Sequence, residues 1–146
     1  MYSYLLLFEV VKSWIQQVSF YMEDNYMDCI FCNMDNYVAE NELAYAIYDK
    51  FPVSKGHLLF IPKRHVKDFF DITVEERDAI FRLIDECKLI IDKKYCPDAY
   101  NVGINCGESA GQTVMHVHVH LIPRYKGDMD YPQGGVRGVI PSKMKY

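Results

Sequence analysis

Three histidines alternate with aliphatic residues in the segment 116–122, HVHVHLI. Alternate side chains of a β-strand point to opposite faces of its sheet, so the three imidazoles would share one face. Val117, Val119 and Leu121 would be buried on the other. Three buried imidazole rings without a functional role would leave ring nitrogens in need of hydrogen-bond partners. The pattern therefore predicts a half-buried strand over 114–122 that carries a functional site.

Short strand-like runs precede this segment and are separated by turn signals. Residues 37–39 and 43–48 flank a three-residue polar turn, a pattern typical of a β-hairpin. Residues 57–61 form a further strand, which Pro62 ends because proline has no N–H for a central ladder. Together with a strand at 100–105, these runs predict an antiparallel sheet of about five strands.

One long helix is predicted among the strands. Thr73 and Glu76, three residues apart, form the capping-box pattern that begins a helix. The apolar residues that follow at helical spacing define one buried stripe: Ile80, Leu83, Ile84, Cys87, Ile90 and Ile91. The predicted fold class is α+β, a single domain in which this helix packs on one face of the antiparallel sheet.

The size and charge of the chain disfavour several classes of protein. Its 146 residues suit one ordinary domain, and a net charge of -4 implies no general attraction to nucleic acid. The apolar stretch 4–11 contains Glu9, has no basic flank and is too short to span a bilayer, so neither a signal peptide nor a membrane span is expected. Five cysteines are an odd number, which favours reduced thiols in a cytoplasm.

The three histidines of the segment 116–122 could serve either of two chemical roles. Neutral imidazole is a common metal ligand, but strand residues four apart lie about 13 Å from each other, so one ion cannot bind all three rings. A neutral imidazole can also act as a nucleophile towards phosphorus while its neighbours donate hydrogen bonds to the phosphate oxygens. The small and polar residues of 105–113 favour the second chemistry, because they let backbone N–H groups, amides and hydroxyls approach a phosphate.

Cys29 and Cys32 have the spacing of a zinc knuckle, in which two thiolates bind one tetrahedral ion. The pair alone leaves three interpretations open, namely a zinc site, two buried cysteines without an ion, and a redox pair. A thioredoxin-like redox pair needs a preceding strand, which the polar residues 23–28 do not supply.

Two segments resemble the signature of the histidine-triad family of nucleotide hydrolases and transferases. The first segment contains the His-x-His-x-His motif with Asn, Gly-Gln and a hydroxyl residue upstream, and it comprises residues 105–124, NCGESAGQTVMHVHVHLIPR. The second segment is similar to the family's other half-site, which ends in Ile-Pro-Lys-x-His, and it comprises residues 48–65, YDKFPVSKGHLLFIPKRH. The similarity runs from Cys29 to about Asp128 and implies a HIT-like fold, close to the bacterial branch that resembles dinucleoside-polyphosphate hydrolases.

The resemblance divides the chain into three parts. A HIT domain over 27–128 contains both motifs. Residues 1–26, with a short helix predicted around Leu5–Val18, form an N-terminal extension. Residues 129–146 are rich in glycine, proline and charge and predict a loop-rich C-terminal tail.

The resemblance also implies a role for each motif residue. His118 is the nucleophile that attacks the α-phosphorus of a nucleotide, His120 donates to a phosphate oxygen, and His57 lies near the leaving group. The backbone of His116 fixes the tautomer of His118, and Asp49 receives the ribose hydroxyls. The residues that match nucleotide- and phosphate-binding positions are Asn105, Gly111, Gln112 and Thr113.

Many members of this family hold a structural zinc ion at a Cys-x-x-Cys pair, and here its implied ligands are Cys29, Cys32, His65 and His116. The family needs no catalytic metal for the nucleotidyl transfer. The resemblance further implies a cytoplasmic homodimer, joined by the long helix and a sheet edge, that acts on a small-molecule nucleotide.

Alternatives stay open at this level. A metal-dependent phosphohydrolase would use His116 and His118 as two ligands of a catalytic ion, and a nucleotide-binding module would not turn over. Within the family, the substrate is either an adenosine phosphoramidate or a dinucleoside polyphosphate. Arg124, Lys126 and Asp128 resemble the polyphosphate branch, where the two cations would hold distal phosphates, but they also fit solvated loop charges.

Overall fold

The computed structural model describes residues 28–146 and, separately, Lys12. Apart from Lys12, the extension 1–26 and its predicted helix lie outside the described residues. Along the described chain, five strands and one long helix follow in this order: β1 (Ala39–Glu40), β2 (Ala44–Tyr48), β3 (Leu58–Pro62), α1 (Val74–Tyr95), β4 (Ala99–Ile104) and β5 (Val119–Arg124).

The five strands form one antiparallel sheet in the order β1-β2-β3-β5-β4, as predicted. Leu58 pairs with Leu121, and both side chains belong to the core beneath α1, which we call the helix face. The next pair, Leu59 and His120, lies on the opposite side, which we call the site face. Helix α1 thus covers one face of the sheet and leaves the other to the histidines.

Helix α1 begins as the sequence predicts. Thr73 Oγ1 accepts a hydrogen bond from Glu76 N at 3.1 Å, and the Glu76 carboxylate accepts one from Thr73 N at 2.8 Å. These two bonds form the predicted capping box. The prediction of a buried stripe is wrong for one residue. Ile90 is 42% exposed, while Cys87 and Ile91 are fully buried against the sheet.

The histidine strand is shorter than predicted, since β5 begins at Val119 and its ladders to β3 and β4 both end there. Strand β3 ends at Pro62, which has no N–H to continue the pairing. Val117 lies outside the ladder, yet its N–H donates to Val66 O at 2.7 Å and its side chain is buried. The predicted alternation of buried valines therefore continues beyond the regular strand.

The chain after β5 folds back on the sheet in two short 3-10 turns, Gly135–Val139 and Pro141–Lys143. A Cβ at Gly135 would lie 3.3 Å from Asn101 Nδ2, so this turn packs closely on β4. Among the residues that the structure describes, no helix has the length and apolar character needed to cross a membrane.

The pairing of Glu76 with Arg64 gives a test of the fold. Both carboxylate oxygens of Glu76 accept hydrogen bonds of 2.8 Å from Arg64, and these bonds lower the pKa of Glu76 from its ordinary 4.5. We expect Glu76→Gln, which keeps the capping box, to lower the free energy of unfolding at pH 7 by about 1–2 kcal/mol. A lowered folded-state pKa stabilises above the unfolded value, so this difference should shrink as the pH falls below 4.5.

Urea unfolding at pH 7 and pH 3 checks this expectation. Glu86→Gln, at an exposed position in the middle of the same helix, is the matched control and should change little. Equal stabilities of the parent protein and Glu76→Gln at pH 7 would contradict a stabilising role for the ion pair.

Candidate active site

The three predicted catalytic residues, His57, His118 and His120, form one group on the site face. The ring centroid of His120 lies 5.2 Å from that of His118 and 5.2 Å from that of His57. Phe31 packs edge-on against His118 at 5.3 Å. His57 and His118 are buried, and they immediately precede β3 and β5. The fold thus joins the two sequence motifs into one site.

Hydrogen bonds fix which nitrogen carries the hydrogen in His57 and His120. Val53 N–H donates to Nδ1 of His57 at 3.2 Å, so the hydrogen of neutral His57 is on Nε2. That Nε2 lies 3.0 Å from Nδ1 of His120 and donates to it, which places the hydrogen of His120 on its own Nε2. This Nε2 is buried and has no hydrogen-bond partner among the described residues. His120 therefore offers an N–H donor to a ligand.

His118 has the opposite tautomer. Its Nδ1 donates to the carbonyl oxygen of His116 at 2.8 Å, the contact that the family resemblance implies. The hydrogen of neutral His118 is therefore on Nδ1, and Nε2 carries a lone pair. A lone pair on one ring stands beside an N–H donor on the next, which is the arrangement that a nucleophile and a phosphate-oxygen donor require.

The environment keeps two of these rings neutral. Burial lowers the pKa of His57, and this effect exceeds the opposing effect of Asp49. Burial also lowers the pKa of His120 to about 4, with further contributions from His118 and His57. At neutral pH, His57 and His120 are consequently uncharged, as the hydrogen-bond chain requires.

Asp49 follows β2 and lies beside His57. Its Oδ1 accepts a hydrogen bond from Phe51 N at 2.8 Å, while its Oδ2 lies 3.5 Å from Nδ1 of His57. Because that Nδ1 already accepts from Val53, the carboxylate is not needed to hold the ring. The position leaves Oδ2 available to hydroxyl groups, and the predicted ribose contact stays a prediction.

The side chain of Gln112 is bound by backbone groups, and its contact with phosphate stays a prediction. It is buried, its Oε1 accepts from Gly107 N at 2.8 Å, and its Nε2 donates to Lys67 O and Val114 O at 2.8 and 3.1 Å. Both amide hydrogens are thus bound by backbone carbonyls. Gln112 braces the loop that precedes the histidines, and a direct hydrogen bond to phosphate would require one of these contacts to break.

The other predicted phosphate residues surround the same loop. Asn105 Nδ2 donates to Gly111 O at 3.5 Å, a long contact that a ligand could replace. Gly111 has φ of 90°, a conformation that favours glycine. Thr113 is exposed and lines a cavity of about 330 Å³ together with Cys29 and His65. Their contacts with phosphate stay predictions.

The four predicted metal ligands come together at one end of the site face. Nδ1 of His116 lies 3.4 Å from Sγ of Cys29 and 3.6 Å from Sγ of Cys32, and Nδ1 of His65 lies 3.3 Å from Sγ of Cys32. All four ligand atoms lie within 4.8 Å of one another. A tetrahedral zinc site with ordinary bond lengths separates sulfur from nitrogen by about 3.5 Å, so the donor set fits zinc.

The second nitrogen of His116 supports this orientation. Its Nε2 donates to Pro62 O at 2.8 Å, which leaves the Nδ1 lone pair directed at the two thiols. Burial lowers the pKa of His116 to about 4, so the ring is neutral and able to ligate. Both nitrogens of His116 are engaged in this way, so the geometry disfavours a catalytic ion shared by His116 and His118.

The guanidinium of Arg124 is engaged by neighbouring side chains, whereas the phosphate role of Lys126 stays a prediction. Nε and Nη2 of Arg124 donate to the Asp128 carboxylate at 2.7 Å, and Nη1 donates to Asn101 Oδ1 at 2.7 Å. The Lys126 backbone N–H donates to Asp98 at 2.7 Å. Arg124 therefore joins β5 to the following loop and to β4, a structural role beyond the two that the sequence suggested.

Several contributors to the site carry no sequence signal of their own. The N–H of Val53 and the carbonyl oxygens of His116 and Pro62 orient the rings through backbone atoms, which every residue possesses. Phe31, which packs on His118, lies inside the Cys-x-x-Cys motif and is an apolar residue like many others. No pattern in one sequence distinguishes these residues.

The chain is similar in sequence and fold to known proteins. The family model described as HIT domain matches residues 32–127. A crystal structure of a HIT family protein from Bacillus anthracis superposes with a TM-score of 0.65 and is 40% identical, covering 69% of this chain and 76% of that one. A zinc-bound histidine triad family protein from Mycobacterium smegmatis also gives a TM-score of 0.65 at 32% identity, covering 70% and 79% of the two chains.

A curated relative has a named activity. The asymmetrical bis(5'-nucleosyl)-tetraphosphatase of Schizosaccharomyces pombe is 41% identical over 87 residues, which make up 60% of this chain and 48% of the yeast protein. The chain thus matches about half of that protein.

Proposed function

The chain belongs to the HIT domain family, and on that premise we propose that it is a nucleotide hydrolase that works through a nucleotidyl intermediate on His118. The observation that supports this proposal is the fixed pair of tautomers, a lone pair on Nε2 of His118 beside an N–H on Nε2 of His120. A module that only binds nucleotides has no need of a nucleophile oriented in this way. We infer the reaction from these two atoms.

The first step would form one bond and break another. Nε2 of His118 attacks the α-phosphorus, the bond from phosphorus to the leaving group breaks, and the leaving group departs with the bonding electron pair. An amine leaving group also takes up a proton from water as it departs, so that it leaves as the neutral amine. His120 Nε2–H donates to a phosphate oxygen, where negative charge increases in the transition state. Water then attacks the same phosphorus, releases His118 and gives a nucleoside monophosphate.

Two classes of leaving group suit this chemistry, an amine and a nucleoside polyphosphate. The name of the yeast relative favours the second for that protein. In this chain the first step is the same for both, because the attacked phosphorus and the groups around it do not change. The nucleotidyl intermediate is therefore the feature to test first.

Intact-protein mass spectrometry after rapid, acid-free quenching tests the proposal. We expect one adenylyl group to be added when the protein is mixed with diadenosine tetraphosphate or with an adenosine phosphoramidate, and AMP to be produced. Chelator should leave the adduct intact in protein that remains folded. Turnover that chelator abolishes in folded protein would instead favour the metal-dependent alternative, and lack of turnover with both substrates would favour a binding module.

We propose that zinc binds to Cys29, Cys32, His65 and His116. The zinc-bound relative and the sulfur–nitrogen distances of this cluster support the assignment. When bound, zinc would supply a rigid crosslink and no catalytic step. The ion would tie the segment before β1 to the residue that begins the histidine motif.

We also propose a cytoplasmic homodimer. All five cysteines are free, which suits a reducing compartment. Strand β4 is an edge of the sheet, and α1 exposes Phe81 and Leu89, so both elements offer surface to a second copy. Light scattering at micromolar concentration should give twice the chain mass of 17.1 kDa, and a monomer mass would refute the dimer.

A further inference from the structure

We propose that the leaving group of the substrate binds in a cavity beside His120, and that this subsite selects an uncharged, apolar leaving group over a polyphosphate. The proposal rests on the proposed hydrolase function and adds to it a place and a chemistry for the departing half. Four observations support it, namely the position of the cavity, its access, its wall and its charge.

The cavity has a volume of about 320 Å³ and continues the site face next to His120. His120 pairs with Gly103 across β5 and β4, and the next pair on the same face is Ile122 with Asn101. Ile122 and Asn101 both line the cavity. Residues two apart on a strand are about 7 Å apart. The cavity therefore begins one same-face residue pair away from His120, the proposed hydrogen-bond donor to the phosphate.

Gly103 leaves the way to this cavity open. A Cβ built on Gly103 meets no atom within 4 Å, and paired residues of an antiparallel ladder project to the same face, here that of His120. Any larger residue would therefore project into open space beside His120. Glycine weakens a strand, and its presence here is consistent with close approach by a ligand.

Apolar side chains form much of the wall. Val53 and Met129 line the cavity from opposite loops, yet remain 73% and 42% exposed. The backbone N–H of Val53 also donates to His57, which donates to His120, so this wall is tied directly to the catalytic rings. An apolar leaving group would cover these side chains and remove their surface from water.

The charge of the cavity disfavours a polyphosphate. Among the described residues that line it, only Arg124 and Asp128 are charged, and they form a two-bond ion pair with each other. The third nitrogen of the guanidinium donates to Asn101. A polyphosphate entering here would meet no unpaired cation among these lining residues and would lose hydration without compensation.

Matched leaving groups test the subsite. The probes are the adenosine 5'-phosphoramidates of cyclohexylmethylamine and of methylamine, two amines of similar basicity, together with diadenosine tetraphosphate. We expect the parent protein to have a kcat/KM roughly tenfold higher for the cyclohexylmethylamine compound than for the methylamine compound, and to use the tetraphosphate least. In Gly103→Val, whose side chain suits a strand, the ratio of the two phosphoramidates should fall to near one.

Two further variants make the test specific. Met129→Ser, at a partly exposed position, should also lower the ratio and guards against misfolding of Gly103→Val. Val102→Thr, next to Gly103 but on the helix face, should leave the ratio unchanged. An unchanged ratio in both Gly103→Val and Met129→Ser would overturn the subsite, and a parent protein that prefers the tetraphosphate would overturn its apolar selectivity. Failure of the proposed function is distinct, because none of the probes would then give an adenylyl adduct.

Discussion

Replacing His118 with asparagine is expected to lower turnover by roughly 10⁴-fold or more, because the variant has no ring nitrogen to attack phosphorus. Asparagine retains an amide N–H that can donate to the carbonyl oxygen of His116, as Nδ1 of His118 does. The surrounding site should therefore keep its shape. We expect the affinity for AMP to change by only a few fold, so that the loss appears in kcat.

Three measurements on the same preparations check this prediction: AMP release, the adenylyl adduct by intact mass, and AMP affinity by calorimetry. Val102→Thr, on the opposite face of the sheet, is the control and should match the parent protein in all three. Turnover that survives in His118→Asn would show that another group, or water itself, attacks phosphorus. Loss of AMP binding together with turnover would point to a collapsed site instead.

The paired substitution of Cys29 and Cys32 by serine should remove one zinc ion per chain and lower the melting temperature by roughly 10 °C or more. Cys29 is buried and His116 is fully buried, so the lost crosslink lies inside the structure. Burial and the neighbouring Cys29 raise the pKa of Cys32 to about 12. Without a cation, this thiol stays protonated and contributes little to the cluster.

Metal analysis of the purified protein and thermal unfolding with and without chelator provide the readouts. Cys96→Ser is the control, because Cys96 is exposed at the end of α1 and should affect neither zinc content nor melting temperature. A parent protein with no zinc, or a double-serine variant that retains it, would refute the site. Chelator should lower the melting temperature of the parent protein but not that of the double-serine variant.

The accuracy of the sequence predictions depended on how local the determining interaction is. The capping box of Thr73 and Glu76 connects residues three apart, and it is present as predicted. The strand carrying the histidines was predicted to begin too early, because the ladders from β3 and β4 that define it both end at Val119. Ile90 has the helical spacing of a buried residue, yet it is 42% exposed while its neighbour Ile91 is fully buried.

In the candidate site, too, interactions between distant segments were harder to predict than local ones. Cys29 and His116 are 87 residues apart, and only their family motifs predicted that they would meet. Gln112 and Arg124 have side chains suited to phosphate, and in the fold they also bind Lys67 O and Asp128, contacts that their residue types do not predict. A polar residue type predicts what a side chain can bind, whereas its neighbours decide what it does bind.

By itself, the sequence determined the antiparallel sheet with one capped helix, the alternation of the histidines with buried valines, and the residue types available for phosphate and metal. These follow from side-chain periodicity and short spacings along the chain. Only the tertiary structure decided the tautomers of His57, His118 and His120, and the open space beside Gly103. Those features depend on backbone N–H and carbonyl groups and on empty space, which are set by where distant segments pack and which no residue type specifies.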